Sequence, residues 1–240
     1  MKEQIQLPME FSPRPALGKD DFLVAPCNEM AVNLLDMWPE WPFFALSIYG
    51  EEGAGKTHLA NVFSHMITSK YPQYGKTPVI KGSDLTIDMP PKLFASHPCI
   101  IVEDADKGID EEAMFHLFNL YREEGGYMLL TSRIAPSRWN VNLPDLKSRL
   151  SIIPTAEITE PDDMILSALL VKLFDDRQLP VSPDVIAYLL KNMERQFSFA
   201  YKLVKEIDRV SLAKKRSITI PIVKEAFEIL QNKNQTSFSF

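Results

Sequence analysis

The order of apolar and polar positions divides the chain into two stretches of different character. As far as Pro154, short continuous apolar runs alternate with segments of helical period: "FFALSIYG", "TPVIKG", "HPCIIVED" and "GGYMLLTSR". Such runs, bounded by Gly, Pro or charge, predict strands buried on both faces. Between them, "CNEMAVNLLDMW" places Met30, Leu34, Leu35 and Trp38 at helical spacing behind an Asn28 cap. A second helix is predicted from Lys56 to about Lys70, and "DEEAMFHLFNLYREE" predicts a third that buries Met114, Phe115, Leu117, Phe118 and Tyr121. Strands alternating with helices imply an α/β fold with a parallel sheet, whose ligand site lies at the strand carboxyl ends.

After Pro154 the pattern turns to helices only. Thr159 caps one with Pro161 in its first turn, and Ser182–Pro183 opens another. A third is expected from about Arg195 to Ala213, and a last one after Thr219–Ile220–Pro221. These make a helical lid of roughly eighty residues, an ordinary size for a small domain. The expected divisions are an extended arm over 1–20, the α/β domain over 21–156, the lid over 157–232 and a polar tail over 233–240. The arm is proline-rich without helical period, and the tail "QNKNQTSFSF" is expected to fray.

Composition narrows the class. With 240 residues, 45% hydrophobic and 24% charged, the chain can bury a full core and a small second domain. A formal charge of −6 argues against a protein whose main task is gripping the nucleic-acid backbone, so no direct sequence-specific binding is expected. Cys27 and Cys99 sit in no ligand spacing, and Cys99 lies inside the apolar "PCIIV", which reads as a buried free thiol in a reducing cytosol. No apolar stretch approaches membrane-spanning length and "MKEQ" is no signal peptide, so a cytoplasmic protein without membrane contact is expected.

The candidate chemistry begins at "IYGEEGAGKTHLA". Gly50, Gly53, Gly55, Lys56 and Thr57 form the G-x-x-x-x-G-K-T phosphate loop. Its glycines let backbone N–H groups close on phosphates, and the next helix points its positive end at them. Ala54 and His58 complete the binding stretch, Lys56 reaches the outer phosphates, and the Thr57 hydroxyl ligates Mg²⁺. "CIIVEDAD" sets Glu103 and Asp104 at a strand end, where a P-loop protein keeps the acid for Mg²⁺ and the acid that orients water. Glu103 falls at the metal position, where its extra length over aspartate puts direct contact and hydrolytic competence in doubt. In "LLTSR", Thr131 or Ser132 is a polar candidate between the acids and the γ-phosphate, or a plain loop cap. In "LPDLKSRL", Asp145 and Arg149 stand at i, i+4: a surface ion pair, or an arginine offered to a phosphate of another protein.

Taken together, "GEEGAGKTHLA", "IIVEDAD", "FHLFNLYREEG", "LLTSR" and "LPDLKSRL" resemble, in order and spacing, the AAA+ module of the bacterial replication initiator DnaA. The resemblance runs on through "VKEIDRVSLAKKRSITIPIVKEAFEIL" and covers about Asp21 to Leu230. It implies a P-loop AAA+ module with a parallel five-stranded sheet and a small all-helical lid. Only about twenty residues separate "TPVI" from "CIIV", where the initiator carries a longer helix pair for single-stranded DNA, and no basic helix-turn-helix follows the lid. This shortened form resembles the Hda family, regulators that inactivate DnaA. "QIQLPM" is similar to the peptide with which that family binds the DNA polymerase sliding clamp: Gln4 for a polar pocket mouth, Leu7 and Met9 for an apolar groove, Pro8 for extension.

The resemblance implies ADP, or ATP, with Mg²⁺ held by Thr57 and Glu103, and Asn28 in the adenine-binding segment. It implies DnaA and the clamp as partners, with homo-oligomers possible. Arg149 becomes an arginine finger that stimulates hydrolysis of ATP held by DnaA, while intrinsic turnover is weak or absent. Ser198 falls where the initiator's lid carries a phosphate-sensing arginine, with Arg195 one turn earlier. The alternatives are an independent DnaA-like ATPase or loader and, less favoured, a P-loop kinase of a small metabolite.

Overall fold

The computed structural model describes residues 24–236 of the chain, with side chains as far as Gln231–Asn232. Gln4, Leu7, Pro8 and Met9 of the arm and the "SFSF" end lie outside the described residues. The chain divides into two compact units: one runs to Gly50 and over Lys56–Ile158, the other comprises Thr159 onward together with Glu51–Gly55.

The first unit is built on a parallel sheet. Its elements are α1 (Glu29–Asp36), β1 (Ala45–Gly50), α2 (Lys56–Lys70), β2 (Val79–Lys81), α3 (Pro90–Ser96) and β3 (Cys99–Glu103). These are followed by α4 (Glu111–Glu123), β4 (Tyr127–Ser132), α5 (Pro144–Ile152) and β5 (Thr155–Ile158). The strand order is β2-β3-β4-β1-β5, all parallel, so β3, β4 and β1 are neighbours at the centre. Ile100, Ile101 and Val102 of β3 are wholly buried, as expected for a run covered on both faces. Each such side chain contributes roughly 1.5–3 kcal/mol of transfer free energy. On one face the Asp110 carboxylate caps α4 by accepting from Ala113 N at 3.0 Å, and Met114, Leu117, Phe118 and Tyr121 enter the core.

Four local expectations need correction. Residues 155–158 are a strand rather than the start of a helical region; "TAEI" is short and buries only Ala156 and Ile158, so its pairing with β1 is what makes it β5. Helix α1 buries Ala31, Val32 and Leu35, while Met30 is 61% exposed, so its inner face is rotated from the predicted one. Phe115 is packed against the core cluster but only partly buried. The first lid helix starts later than predicted, capped by Asp162 accepting from Ile165 N at 2.8 Å instead of by Thr159. Between β2 and β3 lie a one-turn 3-10 helix at Gly82–Asp84 and α3, a short connection as expected from its length.

The second unit holds α6 (Asp163–Asp175), α7 (Pro183–Asn192), α8 (Phe197–Lys214) and α9 (Ile220–Thr236). Leu166, Leu170, Phe174, Leu189, Leu203 and Val223 are among its fully buried side chains. Helix α8 ends on Lys215 in the left-handed region (φ 52°), and the Ser211 hydroxyl donates to the Arg216 carbonyl at 2.6 Å to close the turn.

Candidate functional site

Because β1, β4 and β3 are adjacent and parallel, their carboxyl ends deliver Gly50, Thr131–Ser132 and Glu103–Asp104 to one end of the sheet. At Gly50 the backbone passes so close to β5 that a Cβ would sit 2.3 Å from the Ile158 carbonyl oxygen. Gly53 and Gly55 hold φ of 79° and 104°, which a side chain would strain. Ala54 N donates back to the Glu51 carbonyl at 3.2 Å, and α2 begins at Lys56. Lys56 Nζ donates to the Gly50 carbonyl at 2.6 Å. Thr57 is exposed at the first turn and His58 is partly buried behind it. A helix start behind such a glycine turn is an arrangement that can take phosphate oxygens.

The acids are held under constraint. Asp104 sits in the left-handed region (φ 50°), a conformation that costs about 1 kcal/mol or more outside glycine. Its N–H donates to Thr131 Oγ1 at 3.4 Å, and Ala105 N donates to the Thr131 carbonyl at 2.8 Å. The Asp104 carboxylate pairs with Lys107 at 3.0 Å, and Asp106 Oδ2 accepts from Arg133 N at 3.0 Å. Glu103 Oε1 is buried without a hydrogen-bond partner. A buried carboxyl oxygen left so is unfavourable unless a cation or water meets it, which fits the expected metal position. Of the two hydroxyls at the end of β4, Thr131 meets the Asp104 backbone N–H, whereas Ser132 donates to the Ile134 carbonyl at 2.8 Å and closes its own turn.

Arg149 makes no hydrogen bond or ion pair with these groups among the described residues. Leu146 and Leu150 anchor α5 in the core, and Arg149 lies between them on the partly exposed side. No ion pair joins it to Asp145 among the described residues. Its guanidinium carbon lies 4.9 Å from the centroid of the Phe115 ring, a cation–π contact from α4.

The Hda lid-domain family ("Hda, lid domain") matches residues 163–227. The lid of this chain is similar to that of the Hda family, and its fold to that of DnaA. Among solved structures, domain III of the DnaA replication initiation protein of Thermotoga maritima matches with a TM-score of 0.72 at 18% identity, over 88% of this chain and 94% of that one. A replication initiator DnaA bound to AMPPCP and single-stranded DNA matches at 0.64 and 20% identity, over 81% of this chain. AMPPCP-bound DnaA from Aquifex aeolicus matches at 0.64 and 20%, over 78%. The chain spans 66% and 63% of those two longer chains.

The structure places the two lid residues singled out in the sequence differently. Ser198 is exposed on α8, and Arg195 pairs with Asp163 at 2.9 Å, tying its guanidinium to the first turn of α6. Within the helical unit, Gln196 Nε2 donates to the Glu52 carbonyl at 2.8 Å, a contact the sequence reading missed. Asn28 is 2% exposed, and its Oδ1 accepts from Ala25 N at 2.8 Å, bracing the turn before α1 rather than capping the helix. Glu111 and Lys107 were also missed. Acids in a first helical turn read only as dipole partners, and nothing in the sequence says what lies opposite them.

Proposed function

We propose that this protein restrains replication initiation by stimulating hydrolysis of ATP held by DnaA, with Arg149 supplied in trans. The carrying observation is the Arg149 guanidinium: it rests on an aromatic ring, with no carboxylate partner among the described residues, and so keeps its planar fork of donors for an outside acceptor. A supplied arginine stabilises charge on the γ-phosphoryl oxygens at the transition state. The phosphate loop of Gly50, Gly53, Ala54, Gly55, Lys56, Thr57 and His58 holds ADP or ATP as a structural ligand, with Asn28 near the base. Thr57 and Glu103 would hold Mg²⁺, which would supply positive charge to offset that of the phosphates. The Lys107 pairing of Asp104 and the glutamate at position 103 support weak turnover of the protein's own nucleotide. Gln4, Leu7, Pro8 and Met9 dock on the sliding clamp and bring Arg149 to DnaA on DNA.

The test is phosphate release from DnaA-bound ATP, with clamp-loaded DNA and matched amounts of parent or variant. Arg149→Ala is expected to lower the stimulation by about 10³-fold or more, and Arg149→Lys to recover little of it. Full stimulation by Arg149→Ala rejects the finger. Gln4→Ala with Leu7→Ala should abolish retention on a clamp column while leaving the melting temperature unchanged; wild-type retention rejects the peptide assignment.

A further inference from the structure

Helix α5 is entered through a segment whose backbone donors are gathered by one distant carboxylate. Glu111 Oε1 and Oε2 accept from Asn142 N at 2.9 and 3.0 Å, and Oε2 accepts from Leu143 N at 2.6 Å. The Asn142 side-chain amide adds a further donor to Oε1 at 3.4 Å. Leu143 is the N-cap of α5, and it offers no side-chain cap of its own, so Glu111 takes the capping role from another helix. The backbone donors also hold the Glu111 carboxyl below the usual glutamate range, so it is ionised at neutral pH.

The same face of α4 then meets α5 again. Phe115 stands one turn beyond Glu111, at i+4, and carries the Arg149 guanidinium over its ring. Helix α5 is therefore held at two points: Glu111 on its entry, and Phe115 under the cation in its last turn. The buried Leu146 and Leu150 fix its depth in the core. They leave sliding or rotation of the entry to be controlled by polar contacts, and Glu111 supplies these.

Resting on the reading of Arg149 as a supplied arginine, we infer that Glu111 is the positioning residue for that arginine. It sets the start of α5 and through it the aim of the guanidinium, without touching the reacting phosphate. A misplacement on the order of 1 Å can cost about a hundredfold in rate. A positioning role therefore predicts a loss of maximal rate without a loss of affinity.

The experiment measures DnaA ATP hydrolysis on clamp-loaded DNA as a function of regulator concentration, for parent, Glu111→Gln, Glu111→Asp, Glu112→Gln and Arg149→Ala. Glu112 is the exposed neighbour and controls for the lost charge. Glu111→Gln keeps one acceptor oxygen where the parent has two, and is expected to lower the maximal stimulated rate about ten- to a hundredfold. The half-saturating concentration should stay within about twofold of the parent. Glu111→Asp keeps the charge on a shorter arm and should recover part of the rate; Glu112→Gln should match the parent. Hydrogen exchange of the Asn142 and Leu143 amides should accelerate in Glu111→Gln while the amides of β3 and β4 stay protected.

A parental maximal rate for Glu111→Gln beside an inactive Arg149→Ala overturns the positioning role and leaves the finger standing. A raised half-saturating concentration with an unchanged maximal rate also overturns it, since that marks a contact residue. Full stimulation by Arg149→Ala overturns the finger reading, and the positioning role with it. If Glu111→Gln melts early, the comparison of Glu111→Asp with Glu112→Gln below that temperature decides the matter on the same criteria.

Discussion

The phosphate loop and the Arg149 edge are built from different materials. At the loop the working groups belong to the backbone: N–H donors presented by glycines in left-handed conformations and by the start of α2. At the edge the group assigned the work under the proposed function is one long side chain, carried by α5 over an aromatic ring, with a carboxylate from another helix at the start of α5. A backbone site is tied to the fold itself, because moving its donors means moving the chain. A side-chain site can be emptied while the fold survives, and it depends on residues far away in sequence to hold its aim.

The largest effect on stability that tests this contrast is Gly50→Ala. A Cβ there meets the Ile158 carbonyl oxygen at 2.3 Å, and neither strand can withdraw without breaking the β1–β5 pairing. The expected loss is about 2–4 kcal/mol in urea denaturation. Arg149→Ala should instead lose no more than the cation–π contact, about 0.5–1 kcal/mol. Equal losses would erase the distinction between the two regions.

Lys56→Ala sharpens the same contrast from within the loop. It removes a side chain from a backbone site, so the fold should persist while ligand stabilisation goes. A ligand at a hundredfold over its Kd stabilises a protein by about 2.7 kcal/mol, and the variant should lose most of the thermal shift that ADP produces in the parent. If ADP and ATP shift the parent equally, preference for ADP fails while nucleotide binding stands.

The smallest effect should belong to a group remote from both regions. His97 precedes β3, at the amino end of the strands, and is 1% exposed, with Nδ1 accepting from Cys99 N at 2.9 Å. Burial holds its pKa below the ordinary value of 6.5, so the folded protein keeps it neutral. Its contribution is fully present above that ordinary value and is lost as pH falls toward the folded pKa, because the unfolded chain binds the proton first. His97→Gln should flatten the fall in stability measured between about pH 7 and pH 5. Its stimulation of DnaA at neutral pH should match the parent; a change there would tie the amino end of the sheet to the site.

What could be read from the chain follows from how far apart the cooperating residues lie. The phosphate loop is contiguous, so "GEEGAGKT" displays its glycines, lysine and threonine in one glance. The apolar runs of β1, β3 and β4 were equally legible, because burial on both faces leaves no polar interruption. "TAEI" was not, since four residues carry too little period and become a strand only beside β1. The inner face of α1 was misplaced because Met30 and Ala31 are both apolar, and only packing decides which turns inward.

The sequence by itself determined the phosphate loop, the acid pair at the end of β3, the alternation that makes a parallel sheet, and the change to helices in the lid. Each depends on neighbours along the chain, where spacing alone places side chains. Tertiary structure decided that Arg149 lies on Phe115 rather than pairing with Asp145. It also decided that Thr131 rather than Ser132 meets Asp104, that Arg195 is tied to Asp163, and that Glu111 caps α5 from thirty-two residues away at Leu143. Those contacts join elements brought together by burial of apolar surface, which is non-directional and leaves no mark in local spacing.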